Sequence, residues 1–206
     1  MLTSAGVGDI RYVRTTFHEL IPGLVDQRWH LTTAIFVTDA RAEVVDFSRP
    51  IWAVTDGFIV RRQDVARMTS YEAIAAAHAT LAVVVGQVQR ETAIRAGVRA
   101  DRIVEFPDQD AAVEAVRRGA VDASASTAIG NRALVERAND STLAAVATTS
   151  RSVRAPVGAF AVGKHLPDLT SALDDMIGRY LGTPDHLALM RRYGFSDDEL
   201  APVLLG

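Results

Sequence analysis

The chain has 206 residues, of which 49% are hydrophobic and 23% are charged, and its formal net charge is −3. This length and composition are ordinary for a soluble globular protein with one large domain or two small ones, and the charge gives no indication of a nucleic-acid or anionic-membrane surface. The sequence contains no cysteine, which excludes disulfides, thiolate metal sites and cysteine nucleophiles.

The first part of the chain predicts two strand–helix pairs followed by an extended segment. The strands cover residues 10–16 and 31–37, the helices cover 17–29 and 39–45, and the extended segment covers 51–60. Apolar residues alternate in the first strand and recur three and four positions apart in the first helix. Thr16 and Thr38 stand at the helix starts as N-caps, and Pro50 prevents the second helix from continuing.

The middle of the chain alternates helices with strands. The helices are predicted over residues 70–78, 89–96, 110–118 and 128–138, and the strands over 81–85, 102–106 and 120–125. Such alternation favours a parallel sheet covered by helices. After it come a lone strand over 157–162 and two closing helices over 169–181 and 184–193.

The sequence lacks the patterns of metal sites, of two common catalytic and phosphate-binding motifs, and of membrane-spanning and signal segments. The five histidines are scattered without metal-ligand spacing, and neither a Gly-x-Ser-x-Gly elbow nor a phosphate loop occurs. We therefore expect no metal site and no cofactor. The longest apolar stretch, residues 81–85, is too short to cross a bilayer, and residues 1–8 do not have the pattern of a signal peptide.

Three groups of short motifs occur in a fixed order along the chain. The first is LIPGL at 20–24, FVTDAR at 36–41 and VDFSRP at 45–50; the second is VGQVQ at 85–89, FPD at 106–108 and GAVDA at 119–123; the third is YGFS at 193–196. Together they resemble the type II periplasmic solute-binding proteins of polar amino-acid ABC transporters, the bacterial extracellular solute-binding proteins of family 3. The ectoine and hydroxyectoine binders are the members that it resembles in particular.

This resemblance implies an α/β fold of two lobes with a hinge. Lobe one would comprise residues 1–58 and 156–206 and lobe two residues 59–155, with crossings near 58–60 and 158–160. In the family, ligand binds in the cleft and the lobes close on it by a hinge motion. Relatives carry a signal peptide, a first strand and a first helix ahead of the matched region. We therefore expect this chain to be truncated, without the first strand and helix of lobe one.

The function implied by the resemblance is that of the substrate-binding component of an ABC importer. The chain would capture a small amino-acid-like or zwitterionic carboxylate and deliver it to the permease, as a monomer, in the periplasm or at the cell surface, without catalysis. One alternative is a truncated or degenerate solute-binding or sensory domain with little binding. Another is a lyase similar to cyclohexadienyl dehydratase on the same fold, which requires an acidic side chain close to the Arg41 pocket.

Arg41 is the first candidate ligand-binding residue. Its planar guanidinium can hold a carboxylate with two parallel hydrogen bonds, and the resemblance places the family's carboxylate-binding arginine here. By spacing alone, a surface ion pair with Glu43 or Asp46 is the favoured explanation, and the resemblance reverses this order. Thr38 would add its hydroxyl or N–H group, or serve only as an N-cap. Phe36 would form an apolar wall suited to cation–π contact, or belong to the core.

The remaining candidates lie in both predicted lobes. Gln87, Val88 and Gln89 form a strand-to-helix turn whose backbone N–H groups would attract an anionic group. Thr127 stands where several amino-acid binders of this family have an acidic residue that meets the ligand's ammonium, which argues against an ordinary α-amino acid held in the standard way. Phe17 and Trp52 are further candidate aromatic walls, or core residues.

Overall fold

The computed structural model describes residues 9–148 and 156–204. The strands in chain order are β1 (Leu31–Phe36), β2 (Val45–Phe47), β3 (Trp52–Ala53), β4 (Asp56–Arg61), β5 (Leu81–Val84), β6 (Ile103–Phe106), β7 (Ala123–Thr127), β8 (Leu143–Ala147) and β9 (Val157–Gly163). The helices are α1 (Leu20–Val25), α2 (Asp39–Ala42), α3 (Tyr71–Ala76), α4 (Gln89–Arg95), α5 (Gln109–Arg117), α6 (Ala128–Ala138), α7 (Pro167–Tyr180), α8 (Pro184–Arg192) and α9 (Asp197–Leu204). Short 3-10 turns lie at Phe17–Glu19, Arg62–Asp64 and Ala100–Arg102.

The chain folds into two compact units. Unit one contains the described residues up to Ala53 together with 156–204, and unit two contains 54–148. The sequence placed the first boundary after residue 58, whereas β4 lies whole in unit two. The segments 58–60 and 158–160, expected to be crossings, are instead inner parts of β4 and β9. Their backbones are occupied in sheet pairing, and the second change of unit falls among residues 149–155, outside the described part.

Unit one is built around β9. Strands β1, β2 and β3 all pair with β9 in antiparallel orientation, and β9 separates β1 from β2. Successive side chains of β9 point to opposite faces. Ala161 accordingly packs with Leu24 of α1, and Val162 packs with Leu173 and Ile177 of α7. The sheet is thus covered by helices on both faces.

Unit two is a mixed sheet with the order β6-β5-β7-β4-β8. Strand β5 runs parallel to β6 and β7, while β4 runs antiparallel to β7 and β8. Phe58 and Val60 face a core formed with α3 and α4, and Ile59 between them faces α5 on the other side. The alternation predicted a parallel sheet in this part of the chain. Strands β6, β5 and β7 are parallel as expected, whereas β4 is antiparallel to both of its neighbours.

The structure corrects several predicted elements near the N-terminus. Residues 10–16 form no strand, because a strand requires a neighbouring strand to pair with and this exposed segment has none among the described residues. The helix expected over 17–29 is a 3-10 turn followed by α1, and Thr16 makes no side-chain cap. The second predicted helix is limited to α2, because residues 45–47 pair with β9.

Further along the chain, the predicted elements differ from the observed ones in their bounds. The extended segment over 51–60 is two strands in different units, and the strand expected over 120–125 is β7, displaced toward the C-terminus. Strand β8 and helix α9 were not predicted. The expectation about residues 1–8 concerns a segment outside the described residues.

Candidate functional site

The turn from β1 into α2 positions Arg41 by local contacts. Phe36 ends β1, and Thr38 is the N-cap of α2, with its hydroxyl oxygen accepting a hydrogen bond from the backbone N–H of Arg41 at 3.3 Å. One guanidinium nitrogen of Arg41 donates to the carbonyl oxygen of Phe36 at 2.8 Å. The guanidinium is therefore held against the end of the strand from which it comes.

The environment of Arg41 is half-buried and aromatic. Its guanidinium carbon lies 5.7 Å from the centre of the Phe17 ring, within the range of a cation–π contact. Burial lowers the pKa of Arg41, but the intrinsic basicity of a guanidinium keeps it charged at neutral pH. A charged fork in a partly desolvated position attracts an anion more strongly than one in bulk water.

Phe36, whose carbonyl oxygen accepts from Arg41, also forms an aromatic pair in unit one. The rings of Phe36 and Trp52 meet edge to face with their centres 5.3 Å apart. Trp52 also lies across Gly158 of β9, where a Cβ atom would come within 2.0 Å of the indole. Phe36 is only 7% exposed, whereas Phe17 and Trp52 are partly exposed. Phe36 thus serves the core, and the other two rings have surface left for contact.

Five of the predicted residues are therefore linked to one another in unit one. Arg41 contacts Phe17, Thr38 and Phe36, and Phe36 contacts Trp52. We call Phe17, Phe36, Thr38, Arg41 and Trp52 the Arg41 cluster. Such a group offers a fixed cation beside apolar walls, which suits a small molecule with one acid group.

The other four predicted residues lie in unit two. Gln87 and Val88 belong to the turn between β5 and α4, and Gln89 is the first residue of α4. The amide of Gln89 is directed inward, because the residue is only 2% exposed, and its nitrogen donates to a carboxylate oxygen of Asp56 at 2.7 Å. The Gln87 side-chain oxygen is buried without a hydrogen-bond partner among the described residues. Thr127 is the N-cap of α6 and accepts from the N–H of Gly130 at 3.2 Å.

A carboxylate that sequence reasoning missed lies beside Thr127. Asp56 is the residue opposite Thr127 where β4 pairs with β7, and its second carboxylate oxygen accepts the hydroxyl of Tyr71 at 2.7 Å. Burial raises the pKa of Asp56, while the hydrogen bonds from Tyr71 and Gln89 lower it. Burial and the nearby charge of Asp56 raise the pKa of Tyr71 well above its ordinary value. The available signal was an acidic residue at the start of an otherwise buried apolar strand.

Comparison with known proteins identifies the family. The sequence model of the bacterial extracellular solute-binding proteins, family 3, matches residues 4–195. The chain belongs to this family. The chain is also 26% identical over 199 residues to the probable amino-acid ABC transporter periplasmic-binding protein y4tE of Sinorhizobium fredii (strain NBRC 101917 / NGR234). That match covers 95% of this chain and 66% of the relative.

Solved structures show the fold of this solute-binding protein. The crystal structure of EhuB in complex with hydroxyectoine has a TM-score of 0.86 at 23% identity, covering 98% of this chain and 77% of EhuB. An ancestral arginine-binding protein bound to arginine has a TM-score of 0.82 at 17% identity, covering 94% of this chain and 84% of that protein. The predicted α/β periplasmic-binding-protein fold is confirmed, and a hydroxyectoine complex is among the structures that share it.

Two further observations on this solute-binding protein concern metal sites and membrane-spanning helices. Among residues 9–148 and 156–204, no group of three His, Cys, Asp or Glu side chains is arranged to hold a metal ion. In the same part of the chain, no helix combines the length and the apolar character needed to cross a membrane. The roles of the individual predicted residues in ligand binding stay predictions.

Proposed function

We propose that this chain binds a small amino-acid-like or zwitterionic carboxylate for an ABC importer, with Arg41 holding the acid group. The observation that carries the proposal is the half-buried guanidinium of Arg41, fixed by the Phe36 carbonyl oxygen and lying over the Phe17 ring. Two parallel hydrogen bonds from such a fork match the geometry of a carboxylate. Family membership supports a binding role.

Relatives support the class of ligand. The Sinorhizobium protein is described as a component of an amino-acid ABC transporter, and the structural neighbours were solved with hydroxyectoine or arginine. Each of these ligands carries one carboxylate and one or more cationic nitrogens. The aromatic side chains of Phe17 and Trp52 would suit the apolar and cationic parts of such a molecule.

The proposal extends to partners and location. The ligand would be delivered to the permease of an ABC importer by a monomeric binding protein in the periplasm or at the cell surface. Binding would occur without chemistry, so that arginine, hydroxyectoine or prephenate incubated with the protein is recovered unchanged. Contributions from the backbone of residues 87–89 and from Thr127 are expected in addition, with the Thr127 hydroxyl already engaged as the cap of α6.

The test is calorimetric titration with L-arginine, L-glutamine and hydroxyectoine on the wild type and on Arg41→Ala. Removal of a charged hydrogen-bond partner costs on the order of 2–5 kcal/mol, so the variant should bind at least about 30-fold more weakly. Arg179→Ala is the matched control, because the Arg179 side chain is 81% exposed on α7. Unchanged affinity in Arg41→Ala, or the absence of binding to any of the three probes by the wild type, would contradict the proposal.

A further inference from the structure

The carboxylate of Asp56 is held in a fixed position by two neutral donors. Gln89 donates to one oxygen and the hydroxyl of Tyr71 donates to the other, both at 2.7 Å. The two donors are buried, with 2% of Gln89 and 6% of Tyr71 exposed, whereas Asp56 itself is partly exposed. Two residues that are distant from Asp56 in sequence thus orient one partly exposed acid group.

Within the described residues, the charge of Asp56 has no counterion from the protein. Other shielded acids of unit two are paired: Asp64 and Asp122 lie 3.2 Å and 3.1 Å from the guanidinium of Arg61. By contrast, Asp56 forms no ion pair with any Lys, Arg or His in the described part of the chain. A partly desolvated carboxylate is stabilised when a cation reaches it, and its two oxygens can accept more hydrogen bonds than the two already made.

The position of Asp56 in the sheet is that of a ligand-contacting residue. It pairs with Thr127 at the carboxyl end of β7, and its side chain meets Gln89, which follows the carboxyl end of β5. Small molecules that bind open α/β sheets lie outside the carboxyl ends of the parallel strands. Asp56 therefore offers the negative charge at the edge of unit two where a solute is expected.

We propose that Asp56, oriented by Tyr71 and Gln89, binds a cationic N–H group of the solute, either an ammonium or a guanidinium. The inference rests on the proposed function in one respect, that the chain binds small solutes. Tyr71 and Gln89 act as positioning residues, because they fix the carboxylate rather than meet the solute.

The test does not require the natural solute to be known, because it uses methylammonium as the probe. Protein labelled with ¹⁵N is titrated with methylammonium chloride, with sodium chloride and tetramethylammonium chloride at equal ionic strength as references, while the Gln89 side-chain amide is observed. A saturable shift is expected with methylammonium alone, because only this cation donates N–H bonds. Asp56→Asn should weaken the response by about tenfold or more, as expected when a charged hydrogen-bond acceptor becomes neutral.

Two control variants show whether the response depends on Asp56 itself and whether it is independent of Arg41. Asp110→Asn removes an acid whose side chain is 85% exposed on α5 and should leave the methylammonium response intact. Arg41→Ala should lose the acid probes and keep the methylammonium response. The inference is overturned if methylammonium acts no more strongly than tetramethylammonium, or equally on Asp56→Asn. A methylammonium response in a protein that binds none of the acid probes would contradict the proposed function alone.

Discussion

Two aspartates of unit two show how surroundings decide the behaviour of the same side chain. Asp56 receives two hydrogen bonds, but burial is the larger influence and its pKa is raised. Asp140 is also partly exposed, but hydrogen bonds from Thr142 and Arg117 lower its pKa to about 2. Loss of solvent favours the neutral form, whereas donors directed at the oxygens favour the anion. Only the first environment leaves an acid that gains from an external cation.

Asp140 permits a prediction about stability and pH. Its pKa in the folded protein, about 2, lies below the ordinary value near 3.9 for an unfolded chain. The unfolded state therefore binds the proton more tightly, so the stabilisation is present above about pH 4 and is lost as the pH falls through 2. Urea unfolding between pH 2 and 6 should show a shallower dependence in Asp140→Asn, and the same slope as wild type would contradict this account.

At the scale of elements, a glycine in β9 leaves the space that a tryptophan ring of the neighbouring strand β3 occupies. Trp52 pairs with Gly158, and the indole occupies the space where a Cβ atom would lie 2.0 to 2.3 Å from three ring atoms. Gly23 of α1 allows the same kind of approach by Trp29. These glycines let two tryptophans cover the sheet and α1 without displacing the backbone.

Gly158→Ala is therefore expected to displace the Trp52 ring. Overpacking of this kind costs about 1–3 kcal/mol, which urea unfolding would measure. The double variant with Trp52→Leu should recover part of the loss, because the smaller side chain leaves room for the added methyl group. A loss in the double variant equal to the sum of the losses in the two single variants would show that the two residues do not interact.

At the scale of the whole molecule, the proposed binding should be visible as stability. A solute that binds only the folded protein stabilises it by about 2.7 kcal/mol at one hundred times its dissociation constant. For a chain of this size, that corresponds to a rise in Tm of roughly 5–10 °C. Thermal unfolding of the wild type with L-arginine, L-glutamine or hydroxyectoine should show the rise with the probe that binds. The same rise in Arg41→Ala would contradict the assigned role of this residue.

Much of the fold followed from the sequence because its signals are local. The alternation of strands and helices in unit two reflects periodicities of a few residues. The predicted cap at Thr38 involves a residue three positions away. The strand expected over 10–16 failed for the opposite reason, since a strand exists only with a partner.

By itself, the sequence determined the family, the α/β class and Arg41 as the first candidate, whose contacts with Thr38 and Phe36 span three and five positions. Only the tertiary structure decided where the units divide and that Asp56 meets Tyr71, Gln89 and Thr127. These residues lie 15 to 71 positions from Asp56, and no local pattern encodes such contacts. They form because sheet pairing and helix packing bring distant segments together.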